Sequence, residues 1–220
     1  MNPKELSVRI IILIIGMLIL SLGVALSILG GLGTTPIACV PYVISLGLTY
    51  FTVGEWTIIF HTILVIGQII ILRSNFDYKQ IFQIPFVFIL GYGIDFWVWL
   101  LTPFTPTDYI LQWVFCIAGF VILSFGIVFE IKADLILFAP DGFVLAICEI
   151  TDREFGPTKP YFDVSMVIIG VILSFLLLNH LVGIREGTVV AALCIGYIAK
   201  FFKDLMGHKL DNLLEKFASE

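Results

Sequence analysis

The sequence predicts an all-α, polytopic membrane protein built from two inverted repeats, each with three spans and one short re-entrant segment. Composition, the length of the apolar runs and one returning motif carry that prediction. Of 220 residues, 60% are hydrophobic and 13% charged, against about 45–50% and about 25% in a soluble domain. Residues 10–54 carry no charge at all. That run is longer than the ~20 helical residues needed to cross a ~30 Å hydrocarbon core, and too apolar for a soluble surface. Gly91-Tyr92-Gly93-Ile94-Asp95-Phe96 returns in shape as Gly196-Tyr197-Ile198-Ala199-Lys200-Phe201, 105 residues later. The net charge of −5 forms no basic patch or stripe, which excludes a nucleic-acid partner.

The first apolar run, about 9–31, exceeds the 7–15 residues of a signal peptide and has no small-residue cleavage site, so it reads as a retained span. A short segment, 36–50, opens on Pro36, which suits the first turn of a helix because its missing N–H is not needed there. Spans at 56–73 and 82–101 complete the first half. The second half repeats the order: a span at 109–131, a short segment at 140–150 opening on Pro140, then spans at 161–181 and 187–206. Short segments of this length suit re-entrant elements. Gly23-Val24-Ala25-Leu26 before Pro36 parallels Gly126-Ile127-Val128-Phe129 before Pro140. The halves are therefore 1–104 and 105–206, and three true spans in each set them in opposite orientation. In the tail, 207–220, Leu210, Leu213, Leu214 and Phe217 recur at helical spacing among Lys209, Asp211, Glu215 and Lys216. That pattern predicts an amphipathic helix on the cytoplasmic membrane surface, or one packed on the spans or on another subunit; a homo-oligomer is left open.

The basic residues choose the topology. With re-entrant short segments and a cytoplasmic N-terminus, 11 of the 12 Lys and Arg fall on the cytoplasmic side and only Arg185 falls outside. If the short segments cross fully, the split drops to 8 against 4. Six spans, two re-entrant segments and both termini in the cytoplasm follow.

No HExxH, GxSxG, P-loop or Gly-x-Gly-x-x-Gly motif is present, so neither catalysis nor a cofactor is expected. His61, His180 and His208 are too scattered to suggest a metal site. The four cysteines lack CxxC spacing and read as small buried hydrophobes. Ionisable residues at membrane depth are the stronger signal, because a charge there tends to face a bundle interior, a partner or a watery cavity. Asp95 and Lys200 occupy matching repeat positions with opposite charge and are candidates to pair, or to snorkel to opposite surfaces. Glu130 and Asp141 flank the entry to the second short segment, near Lys132 and Asp134. Asp141 either complements the helix dipole or points into a cavity near the midplane, where Gly/Pro-interrupted segments mark transporter sites. In the first half the matching stretch, 30–36, is glycine-rich and uncharged. Its amides could approach a ligand, or the stretch could be only a tight connection. Asp163 reads as a cap or a site residue near the start of the fifth span, and Thr188 as the N-cap of the last. Arg185 and Glu186, being adjacent, are expected to meet other partners rather than each other, and Glu149 reads as solvated.

Gly-Ile-Arg-Glu-Gly-Thr-Val-Val-Ala-Ala-Leu at 183–193, Ala-Pro-Asp-Gly at 139–142, Glu-Phe-Gly-Pro-Thr-Lys at 154–159, Phe162-Asp163-Val164 and Leu90-Gly91-Tyr92-Gly93-Ile94-Asp95 resemble the signatures of YitT/YczE-type bacterial membrane proteins. The resemblance spans nearly the whole chain and is strongest in the second half; Asp141 departs from the glutamate frequent in that family. It implies a multi-pass protein of the bacterial plasma membrane, with no established activity. Two functions remain: a permease for a small polar solute or ion, with Asp95, Glu130, Asp141, Asp163, Arg185, Glu186, Thr188 and Lys200 as candidate site residues, or a non-transporting accessory or regulatory membrane protein. A cavity lined by Asp95, Glu130 and Asp141 would favour the first; a tight bundle with those groups mutually paired would favour the second.

Overall fold

The computed structural model describes residues 2–218, without the side chains of 208, 209, 211–213 and 215–218 in the last helix. Helix α1 (Pro3–Gly30) starts before the apolar run does. Pro3 fits its first turn, the Asn2 side chain accepts from the Lys4 N–H, and Gly31 ends it in the left-handed conformation, φ 70°. Helix α2 (Pro36–Gly47) is capped by Thr35, which accepts from the Ala38 N–H. Helix α3 (Val53–Leu72) opens on a capping box in which Thr52 and Glu55 satisfy each other's backbone N–H groups. Then come α4 (Gln83–Leu101), α5 (Tyr109–Ala133), α6 (Ala139–Thr151), α7 (Phe155–Leu178) and α8 (Glu186–Ala218). Both short segments are thus helices of 12 and 13 residues, each with a proline in its first turn.

Five helices, α1, α3, α4, α5 and α7, are long and apolar enough to cross a membrane. The expected sixth span, 187–206, does form a helix, but Lys200, Lys203 and Asp204 crowd its second part, and it does not join the five. Helix α8 runs unbroken to Ala218, so the expected tail is a continuation of it and not a separate surface helix. Leu214 is buried in the same cluster as Ile12 and Ala133; Leu213, Phe217, Lys209, Asp211, Glu215 and Lys216 lie outside the described side chains. Helix α7 begins at Phe155, earlier than 161. Pro157 lies within its first turn and Pro160 is carried inside the helix.

At the centre α1 and α5 cross antiparallel through glycines. A Cβ added at Gly23 would lie 2.7 Å from the Gly119 carbonyl oxygen, and one added at Gly126 would lie 3.0 Å from the Gly16 carbonyl oxygen. Small residues let helix backbones approach this closely, which is how apolar helices associate where the hydrophobic effect gives no drive. Around this crossing α4 packs on α1 and α8 on α5; α2 lies on α3 and α7, and α6 on α3 and α7. Helices α3 and α4 are packed along their length, while α7 and α8 make almost no contact.

Candidate functional site

Between these helices lies a cavity of about 430 Å³. Its walls are mostly apolar, from Leu20 and Val24 of α1, Ile37 of α2, Leu90 and Ile94 of α4, Leu123 and Ile127 of α5, and Ile195 of α8. The polar groups collect at one side. Asp141 sits in the first turn of α6, whose N-cap, Phe138, offers no side-chain cap. Instead of capping that turn, the carboxylate meets the Lys159 ammonium at 2.7 Å. One turn further along α7, Asp163 lies 3.3 Å from the same ammonium. The Lys159 ammonium, shared by the two acids, ties α6 to α7 here. The ammonium also stands 5.6 Å from the Phe162 ring centre.

Glu130, near the end of α5, lines the cavity and is 8% exposed. His61 of α3 lines it too, 2% exposed, with its ring edge-on to Phe138 at 5.1 Å and Nδ1 without a partner. A buried polar atom left unpaired costs free energy of roughly 1–3 kcal/mol. His61 thus adds an uncommitted ring nitrogen to the cavity wall. Thr57, on the same face of α3, is satisfied by the Val53 carbonyl at 2.8 Å.

Glu130, Asp141 and Asp163 are thus brought together, and the other five candidate residues lie elsewhere. Asp95 holds the start of α3: it accepts from the Thr52 hydroxyl at 2.5 Å and the Gly54 N–H at 2.8 Å. It does not pair with Lys200, which is exposed and makes no ion pair among the described residues. Arg185 and Glu186, expected to avoid each other, pair at 2.9 Å. Arg185 also donates to the Gly31 carbonyl, and Tyr109 donates to Glu186 at 3.4 Å. Thr188 is the third residue of α8 and not its cap; it is 1% exposed, with Oγ1 where a Cβ on Gly33 would be. Gly33 has φ 97°, which explains the glycine there. With the Gly187 N–H donating to the Leu32 carbonyl at 2.8 Å, the 30–36 stretch is a tight connection clamped to the start of α8. Asp163 is mid-helix, not a cap, because α7 begins at Phe155. Glu149 is exposed, as expected.

Two site residues went unread in the sequence. In the sequence Lys159 figures only in the basic count and as the last residue of the Glu-Phe-Gly-Pro-Thr-Lys motif. His61 had no neighbour in sequence to mark it. Among the described residues no three His, Cys, Asp or Glu side chains gather as a metal site, and the four cysteines are free.

A chain whose described residues are helical, with five helices long and apolar enough to cross a bilayer around an acid-lined cavity, has the make-up of a helical membrane protein. It belongs to the DUF6198 family, described as a family of unknown function, whose profile matches residues 7–204. The chain is 30% identical to the uncharacterised protein YyaS of Bacillus subtilis (strain 168) over 63% of its own length and 68% of the relative's. It is 25% identical to an uncharacterised protein of Haemophilus influenzae over 89% of its own length and 83% of the relative's. No solved structure matches. The narrower YitT/YczE resemblance rests on the quoted motifs alone.

Proposed function

We propose that the protein is a permease of the bacterial plasma membrane, moving a small polar solute or ion through a site between two inverted repeats. The observation that carries this reading is the cavity, whose lining comes in repeat-related pairs. Leu20 and Leu123, Val24 and Ile127, Ile37 and Asp141, Thr57 and Lys159, His61 and Asp163, Leu90 and Ile195, and Ile94 and Ala199 all face it. Each pair is separated by 102 to 105 residues, the spacing at which the sequence motifs return. The packing supports the same symmetry. Exchanging the halves maps Gly16 on Gly126 into Gly119 on Gly23, α1 on α4 into α5 on α8, and α2 on α7 into α6 on α3. An antiparallel α1–α5 crossing is what halves of opposite orientation require.

On this reading α8 is the sixth span, with Lys200, Lys203 and Asp204 confined to its second part, and α2 and α6 are the re-entrant segments. The 11-to-1 basic split supports cytoplasmic termini. Three carboxylates share the cavity with one ammonium, so it favours a cation, and the apolar walls suit an alkyl body. The accessory-protein alternative expected a tight bundle with Asp95, Glu130 and Asp141 mutually paired. A cavity lined by Glu130 and Asp141 supports the permease, while Asp95, held by Thr52 and Gly54 outside it, and the Asp141–Lys159–Asp163 tie are of the kind the alternative foresaw.

The test is a thermal-shift screen of the purified protein with alkylammonium ions, sodium and potassium. At least one should raise the melting temperature of the wild type and fail to do so with Glu130→Gln and with Asp141→Asn, both folded. A screen without any shift, or a shift retained in both variants, rejects this site.

A further inference from the structure

The two halves differ most at one seam. In the first half, α3 and α4 are sealed where their glycines meet. A Cβ on Gly54 would strike the Gly91 carbonyl oxygen and the Asp95 carboxylate, and one on Gly91 would lie 2.6 Å from the Gly54 carbonyl oxygen. Asp95 latches this contact through Thr52 and the Gly54 N–H, and at the far end Gln68 and Gln83 exchange amide hydrogen bonds at 3.2 Å. The positions related by the repeat spacing are Gly156 for Gly54, Gly196 for Gly91, Glu154 for Thr52 and Lys200 for Asp95. The parts of a seal are all present, yet it is open: Gly156 and Gly196 have nothing within 4 Å. Both glycines, with Phe155, Pro160 and Ala199, line the cavity.

The chemistry of the open seam matches the closed one with its polarity exchanged. Thr52 caps α3 and donates to an acid on α4; Glu154 holds the N-cap position of α7 without a side-chain cap bond, and the position of α8 that matches Asp95 is a lysine, Lys200. Glycine on both helices leaves room for the backbones to close, as they do at Gly54 and Gly91. Glycine is a poor helix former, so two glycines in helices that touch nothing make little sense in the open arrangement alone.

We infer that the α7–α8 seam is a gate over the acid-lined cavity, closing by seating Gly156 on Gly196 and pairing Glu154 with Lys200 while the Asp95 latch releases the α3–α4 seam. The inference deepens the permease reading and rests on it for its purpose: one site would face the two membrane surfaces in turn as the two seams exchange. The seams themselves can be read without any solute.

The experiment uses the full chain in lipid vesicles, with Cys194→Ser to remove the one half-exposed thiol and with Glu154→Cys and Lys200→Cys introduced. A disulfide needs Cα atoms within about 7 Å, so it reports closure. Oxidation should protect both new thiols from a maleimide tag, and adding Asp95→Asn should speed that protection several-fold by weakening the opposite latch. Where Asp95→Asn does not fold, Thr52→Val removes only the hydroxyl and serves in its place. Absence of cross-linking in both backgrounds overturns the gate; cross-linking at a rate indifferent to the latch overturns the exchange. A chain that cross-links as expected but responds to no cation in the thermal screen keeps the gate and loses the permease reading. A chain that binds a cation and never closes does the reverse.

Discussion

At the cavity, the first half of the chain presents Ile37, Thr57 and His61, while the second presents Asp141, Lys159 and Asp163 at the matching positions. Helices α2 and α6 have matching neighbours, α3 and α7 in each case, whereas α3 is packed on α4 and α7 makes almost no contact with α8, so the halves differ both in charge and at that seam. The difference teaches what each part of the fold is for. The glycine crossing of α1 and α5 is symmetric because both halves need it equally. On the permease reading the charges are asymmetric because one set of acids would serve a single site, and a second set would only add repulsion and desolvation cost.

Substitutions at paired positions can break or sharpen that comparison, and thermal or chemical melting of the purified protein reads them all. The largest effect is expected where the halves are alike. Gly23→Val and Gly126→Val each force a side chain against backbone atoms under 3 Å from the Cβ position, and each should cost about 3 kcal/mol. If one is tolerated and the other is not, the symmetry of the crossing is wrong. Next comes Lys159→Met, which leaves Asp141 and Asp163 together without their ammonium. These side chains are 21–35% exposed, so solvent screening limits the loss to about 1–3 kcal/mol, and Asp163→Asn should restore part of it. Thr57→Val at the matching position should change stability by no more than about 1 kcal/mol.

Smaller and of opposite sign is the seam comparison. Gly91→Ala meets Ile58 and the Gly54 backbone and should lose about 1–2 kcal/mol, whereas Gly196→Ala, in open space, should gain about 0.5–1 kcal/mol from helix propensity. Equal effects at the two positions would remove the asymmetry on which the gate rests. Asp95→Asn is the mildest. It keeps one acceptor and loses the charge, for a cost of about 1 kcal/mol.

The helices are legible because apolar length is a strong signal; their starts are less so, because a span located by its apolar run begins only where that run does. Helix α7 starts at Phe155 rather than at 161, its first turns being rich in polar residues and prolines, and a proline in a first turn costs a helix nothing. That boundary is what leaves Lys159 outside the expected span and makes Asp163 look like a cap. Glu130, Asp141 and Asp163 were readable as acids within apolar stretches, since such residues need a reason to be there. Asp95 met the same criterion and misled. Its partner is the Thr-x-x-Glu box that starts α3, 43 residues away, and only the packing of α3 on α4 reveals it. His61 carries no signal at all, because one neutral histidine in an apolar helix becomes notable only when nothing bonds its Nδ1.

The glycine crossing also bears on how the chain is made. Gly119 follows Gly23 by 96 residues, and at a synthesis rate of about 5–20 residues per second the ribosome needs about 5–20 s to deliver the partner of α1. During that interval α1 has only the first half of the chain to pack on, α4 among it, and its composition suits the wait. Ser21 and Ser27 donate to the Leu18 and Val24 carbonyls of their own helix, so neither hydroxyl depends on α5, and the glycine face exposes no side chain. The first helix thus needs nothing from α5 to satisfy these hydroxyls, and α5, on arrival, docks onto a surface already in place.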